Sequence, residues 1–167
     1  IRRHAIEVEG APPEKVVRVY HGIAAEKLAV VREIRGRIRA AWEVQEDEVV
    51  FGSVCRLTQQ KGIEDGLSAF AELVKRTKNA RYVVAGDGEL RPALEEQARR
   101  EGISEHVLFL GWRQDVAEVM TGMDVFVNPS RWEGFGIVVL EAMAAGLPVI
   151  ATRVSALPEI VGEGVTG

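Results

Sequence analysis

The chain predicts an α/β fold, a three-layer sandwich in which helices cover both faces of a parallel sheet. Three observations lead there. Apolar runs of strand length at Val49–Cys55, Arg81–Gly86, Val107–Gly111 and Asp124–Ser130 are nearly continuous, the habit of strands buried on both faces. Segments of helical spacing separate them, and alternation of the two means right-handed parallel crossovers. Most of these runs stop at a glycine, a proline or a charged loop.

The elements follow in order. Val16–Tyr20 is a short strand candidate ending at His21-Gly22. From Ala24 to about Trp42 the spacing is helical, with Leu28, Val31, Ile34 and Ile38 on one side. Arg32, Glu33, Arg35, Arg37 and Arg39 fill the other side and read as a solvated face, with a docking surface as the alternative. Val49–Cys55 is a strong strand. Gly62–Lys75 is a helix with Ile63, Leu67, Phe70 and Leu73 facing inward. The strand Arg81–Gly86 precedes a helix over Glu89–Arg100, whose Pro92 sits in the first turn where proline is tolerated. Val107–Gly111 is a strand and Asp115–Met120 a short helix. The strand from Asp124 runs into a turn at Pro129-Ser130, a helix begins at Ile137, and Pro148–Ala151 is the last strand before a helical turn at Leu157–Val161.

Composition narrows the class. The 167 residues suit one domain, 1–167, with a real core. An apolar share of 47% and a charged share of 28% are ordinary for a water-facing globular chain. Net charge is −4, which argues against a nucleic-acid surface built on phosphate contacts. Cys55 is the single cysteine, so no intrachain disulfide forms, and its apolar surroundings suggest a buried, inert thiol. The three histidines are scattered without ligand spacing, so no metal is assigned. No apolar run is long enough to span a bilayer and no signal peptide is visible. A cytoplasmic location is the expectation.

Chemistry concentrates in the loops that follow strands. Glu133 and Glu141 stand eight residues apart in Glu133-Gly-Phe-Gly-Ile-Val-Val-Leu-Glu141. The first lies in a glycine-rich loop at a strand's carboxyl end, where open α/β sheets bind ligands. The second lies about one turn inside the following helix. That helix is apolar nearly all round, so a carboxylate within it needs partners. A helix N-terminus reached through Gly134-Phe135-Gly136 offers free N–H groups and a positive dipole end to an anion. Two acids beside an anion site suit a ligand with phosphates and hydroxyls, such as a nucleotide sugar.

Arg56 and Lys61 follow the strand at Val49 and could aim two cations at one phosphate pair, although the loop also reads as a solvated connection. Gly86-Asp87-Gly88 reads chiefly as a tight turn with Asp87 capping the next helix, and it falls short of a dinucleotide fingerprint. At Gly111-Trp112-Arg113 a backbone amide could meet a base edge and the indole could stack on it, packing being the plainer role for the tryptophan.

Taken together, Arg56-x4-Lys61-Gly62, Val84-x-Gly86-x-Gly88, Val107-x-Phe109-x-Gly111, Pro129-Ser130-x2-Glu133-Gly134-Phe135-Gly136, Glu141-Ala142 and Pro158-Glu159-Ile160-Val161 resemble the retaining glycosyltransferases of family 4, of the GT-B fold. Order and spacing match over about residues 15–167. The resemblance implies a Rossmann-like domain, the C-terminal, donor-binding half of a two-domain enzyme of carbohydrate biosynthesis. It implies that Arg56 and Lys61 bind the donor diphosphate and that Glu141 accepts from the ribose hydroxyls. Glu133, the implied catalytic residue, would lie by the transferred sugar. The loop amides at Gly134, Phe135, Gly136 and Ile137 would approach sugar and phosphate. Gly86 would line the donor site, and Gly111, Trp112 and Arg113 would lie by the base. The donor substrate would be a nucleoside diphosphate sugar, with no cofactor and no metal, because Arg56, Lys61 and the helix dipole neutralise charge. The acceptor would be held by an N-terminal domain outside this chain, as the final C-terminal helices would also be, so the chain alone is expected to be an inactive donor-binding module. No nucleic acid and no transmembrane segment are implied, and peripheral membrane contact of the whole protein is compatible with the reading. Two alternatives stay open: a stand-alone nucleotide-binding module, and a sugar-nucleotide epimerase of the same fold. A nicotinamide dehydrogenase is disfavoured, because no Gly-x-Gly-x-x-Gly follows a strand.

Overall fold

The computed structural model describes residues 2–17, 19, 21–28 and 32–167. A short helix α1 (Arg2–Glu7) and two 3-10 turns, Pro13–Lys15 and Ala25–Lys27, lead to α2 (Arg32–Ala41). Strand and helix then alternate as β1 (Val49–Val54), α3 (Ile63–Val74), β2 (Ala80–Ala85), α4 (Arg91–Arg100), β3 (Val107–Gly111), α5 (Val116–Thr121), β4 (Val125–Asn128), α6 (Ile137–Ala144), β5 (Val149–Ala151) and α7 (Leu157–Ile160).

The five strands form one sheet in the order β3-β2-β1-β4-β5, and every pairing is parallel. All five carboxyl ends therefore open on one edge, including the positions Cys55, Gly86, Gly111 and Asn128. The chain builds outward from β1 to β2 and β3, then crosses back to place β4 on the other side of β1. The helices that follow β1 and β4 pack on opposite faces of the sheet, so the carboxyl ends of these two strands form the topological switch point, the crevice where open α/β sheets bind ligands.

Alternation along each strand divides the core into two layers. On one face Val50, Val83, Ala85 and Phe126 meet Val119 and Met120 of α5, Val139 and Ala142 of α6, and Leu157 of α7. On the other, Tyr82 and Val84 meet Leu67 and Phe70 of α3 and Leu94 and Ala98 of α4. Residues one apart on β2, Tyr82 and Val83, are both almost fully buried against opposite layers, which is why these strands read as unbroken apolar runs.

Three expectations need correction. Of the strand expected over Val16–Tyr20, Arg18 and Tyr20 lie outside the described residues. Val16, Val17 and Val19 belong to no strand, and Val17 and Val19 are exposed. The helix expected from Ala24 begins at Arg32 among the described residues, after a 3-10 turn, while Val31 lies outside them. The charged side of that helix is not simply solvated. Arg35 Nη2 reaches Asp124 Oδ1 at 2.6 Å and Arg39 Nη1 reaches Asp124 Oδ2 at 2.9 Å. Arg35 also donates to the carbonyls of Thr121 and Met123, and Arg39 to that of Glu48. These guanidinium forks take up carbonyls at the end of α5 that the helix itself leaves unpaired. Burial would raise the Asp124 carboxyl, but the Val50 N–H, the Arg39 hydrogen bond and the charges of Arg35 and Arg39 outweigh it and hold it below 3.8. Helical periodicity could not reveal this partner, which lies some 85 residues along the chain.

Candidate functional site

The site grows from two loops at the crevice between β1 and β4. After β1 the chain turns through Gln59–Lys61 and reaches Gly62, at φ +60°, before α3 begins. A Cβ at Gly62 would stand 2.2 Å from the Pro129 carbonyl oxygen, so glycine is required for the loops to touch. Gln60 stitches them further: its carbonyl accepts from Arg131 N–H at 2.9 Å, and its side-chain amide donates to the Trp132 carbonyl at 3.2 Å. Arg131 clamps back onto Asp65 of α3 at 3.0 Å.

This stitching brings two expected site residues into contact. Lys61 Nζ donates to Glu133 Oε2 at 2.5 Å, with the side chains 19% and 9% exposed. Glu133 is held on several sides. Ser130, fully buried, offers its hydroxyl to Asn128 Oδ1 at 2.6 Å and lies 3.3 Å from Glu133 Oε2. Gly134 N–H donates to Glu133 Oε1 at 3.1 Å. The backbone N–H of Glu133 donates to Ser155 Oγ at 3.2 Å. A carboxylate with these donors and an ammonium is fixed in place before any ligand arrives.

Beyond Glu133, Gly136 at φ +90° caps α6, and Ile137 is its exposed first residue. The opening N–H groups of α6 have no carbonyl four residues back, so the loop presents donors and a positive dipole end at the crevice. Phe135 lies tilted against the His21 ring, centroids 5.4 Å apart, so the N-terminal lead-in also borders this loop. Glu141 sits on the second turn of α6. The helix is less enclosed than its composition suggests: Val139 and Ala142 are buried, whereas Glu141 is half-buried. Glu141 makes no side-chain hydrogen bond or ion pair with the described residues, and burial raises its carboxyl above 4.5.

The remaining strand ends complete the edge. Gly86 follows β2 so closely on β1 that a Cβ would stand 1.7 Å from the Cys55 carbonyl oxygen, and its N–H donates to the Gly111 carbonyl at 2.8 Å. Asp87 accepts from Gly88 N–H instead of capping a helix, because α4 starts only at Arg91. Trp112 projects from the end of β3 and is 68% exposed, so it is not core packing. Arg113 beside it is paired with Asp115. Arg56 stands in the loop just past β1 and is exposed. Cys55 is partly buried, and that burial pushes its thiol up to about 12, with Lys61 pulling down and Glu133 pushing up, which disfavours the reactive thiolate.

The structure therefore joins Lys61 to Glu133 and Gly86 to Gly111, and sets Arg56, Trp112 and Arg113 on the same sheet edge without a side-chain hydrogen bond or ion pair to Lys61 or Glu133. Sequence reasoning gave no role to Gln60, Ser130 or Ser155. Gln60 and Ser130 had a signal, since both stand within the matched motifs. Ser155 had none, because it arrives from the loop after β5.

Residues 34–167 match the family model of the "Glycosyl transferases group 1". An uncharacterized glycosyltransferase of Methanocaldococcus jannaschii is 36% identical over all of this chain, which spans 44% of it. The N-acetyl-alpha-D-glucosaminyl L-malate synthase of Bacillus anthracis is 30% identical over 93% of this chain, which spans 40% of that enzyme. Among solved structures, Anabaena HepE in complex with UDP and glucose superposes with a TM-score of 0.90 at 27% identity, over 99% of this chain and 46% of HepE. The chain thus spans less than half the length of these relatives. No helix among the described residues is long and apolar enough to cross a membrane. With a parallel sheet that opens its crevice at Lys61 and Glu133, and with a family match over most of its length, the chain belongs to the group 1, family 4-type glycosyltransferases, and its Rossmann-like domain matches those of their GT-B structures.

Proposed function

We propose that this chain, as one domain over 1–167, is the donor-binding half of a glycosyltransferase that moves a sugar from a nucleoside diphosphate sugar to an acceptor with retention of anomeric configuration. The observation that carries this reading is the Lys61–Glu133 pair beside the α6 N-terminus at the β1/β4 crevice. A diphosphate there would meet three sources of positive potential: Lys61, the exposed guanidinium of Arg56, and the opening N–H groups of α6. Those groups stabilise the negative charge that grows on the departing diphosphate as the glycosidic bond breaks. Glu133 would face the sugar, where its charge favours the positive character developing at the anomeric carbon. Glu141, one turn deeper and without a polar partner among the described residues, would accept from ribose hydroxyls. Gly111, Trp112 and Arg113 would border the base, with the exposed indole free to stack on it. HepE, whose structures hold UDP or UDP-glucose, supports this ligand class.

The acceptor would be held by protein outside this chain, so the domain alone would bind donor without transferring it. Membership in the group 1 family weighs against the epimerase alternative. Calorimetric titration with UDP, GDP, ADP and dTDP and their glucose conjugates tests the reading. One of these should bind wild type and bind Lys61→Ala at least about tenfold more weakly. Wild-type protein that binds none of them would sink it.

A further inference from the structure

The loop after β5 carries two hydroxyls that act on the Glu133 loop, and nothing in the donor-binding reading uses them. Thr152 Oγ1 donates to the Ser130 carbonyl at 2.5 Å, and its N–H donates to the Asn128 carbonyl at 3.1 Å. Ser155 Oγ accepts from the Glu133 N–H at 3.2 Å. Ser155 does so from the left-handed region, at φ +50°. It and Glu43 are the described non-glycine residues with positive φ. A serine gains nothing locally from that conformation, since its Cβ crowds the backbone there. Strained positions of this kind persist where surrounding structure holds them, and they gather at functional sites. Ser155 is exposed, so burial does not hold it there. Among the described residues, its side-chain hydrogen bond across the fold is with the backbone N–H of Glu133.

We propose that Ser155 is a positioning residue for Glu133. Its hydroxyl holds the Glu133 backbone, and so sets where the carboxylate meets the donor sugar; this rests on the donor-binding reading above. Lys61 and Ser130 contact the tip of Glu133, while Ser155 fixes its base. Gln60 already ties the backbone at Arg131 and Trp132, and Ser155 adds a hold on Glu133 itself from the opposite loop, so the carboxylate is aimed from its base as well as from its tip.

The test compares Ser155→Ala with Ser155→Gly. Both lose the hydroxyl, but only glycine relieves the positive φ, so Ser155→Gly should melt at the higher temperature of the two. The functional readout is the ratio of affinities for the nucleotide sugar and the corresponding nucleoside diphosphate, using the pair that binds wild type best. Both variants should lower that ratio by about 2–10-fold while the nucleoside diphosphate binds as in wild type. Glu133→Ala should lower it too, and adding Ser155→Ala to Glu133→Ala should lower it no further. Hydrogen exchange at the Glu133 amide should quicken in both Ser155 variants. If the ratio tracked melting temperature, so that Ser155→Gly matched wild type, the hydroxyl would be structural and the inference overturned. An unchanged ratio in both Ser155 variants, with Glu133→Ala lowering it, would overturn the inference and leave the donor reading standing. A wild type that bound neither ligand would overturn both.

Discussion

Glu133→Gln is the substitution on which the site geometry makes its sharpest claim. If Glu133 faced only the sugar, as the family resemblance implies, the change would leave nucleoside diphosphate affinity nearly untouched. The structure gives it a second partner, Lys61 at 2.5 Å, with both side chains mostly out of water. At an effective dielectric near 20, opposite charges roughly 4 Å apart attract by about 4 kcal/mol, before the cost of desolvating them. Removing one member of a well-buried pair costs about 3–5 kcal/mol. Lys61 keeps some solvent, and glutamine still offers it a neutral acceptor, so a loss of about 2 kcal/mol is the better expectation. In a protein of this size that lowers Tm by roughly 4–8 °C. The unpaired ammonium left behind should welcome a phosphate. Wild type must exchange Glu133 for phosphate at Lys61 and the variant need not, so the nucleoside diphosphate should bind Glu133→Gln up to about tenfold more tightly. Saturating ligand should then narrow the Tm gap between the two proteins. Thermal melts with and without nucleoside diphosphate, paired with calorimetry, read both effects. An unchanged affinity would mean that Lys61 serves carboxylate and phosphate together, and would refute the competition. A weakened affinity would refute it more severely.

Other substitutions probe the remaining groups. Arg56→Ala should weaken nucleoside diphosphate binding about tenfold with Tm unchanged, because the exposed guanidinium makes no hydrogen bond or ion pair with the described residues; calorimetry and a melt decide. Glu141→Gln should weaken the same ligand, and it carries a pH signature. Burial raises the Glu141 carboxyl, so its stability contribution is complete below about 4.5 and is lost as pH rises through the folded value. The unliganded glutamine variant should therefore gain on wild type in melts as pH climbs from 4.5, and a constant gap would contradict the assignment. Asp124→Asn should cost about 2–3 kcal/mol, since Arg35, Arg39 and the Val50 N–H all bind the carboxylate. The lowered Asp124 value means wild type keeps that stability above 3.8 and loses it as pH falls further, so acid melts of the two proteins should converge.

Much of this molecule could be read without coordinates. Strands β1 to β5 and helices α3 to α7 lie within a few residues of their expected places, because an apolar run covered on both faces writes its own period and its glycines mark where it stops. The gathering of Arg56, Gly86, Gly111 and Glu133 on one edge was also legible, since parallel strands with loops after their carboxyl ends allow no other outcome. Where local pattern was weak or ambiguous, the reading faltered. The valines at 16, 17 and 19 have strand propensity but join no strand among the described residues, and Arg35 and Arg39 follow a solvated pattern while holding Asp124. Only the tertiary structure decided that Lys61 meets Glu133, that Gly62 must let the Pro129 carbonyl pass, and that Ser155 reaches the Glu133 backbone. Those contacts join residues 22 to 72 apart along the chain. Sequence determines which groups leave each strand, because that depends on neighbours; which groups touch depends on the crossover that sets β4 beside β1, and no local pattern encodes it.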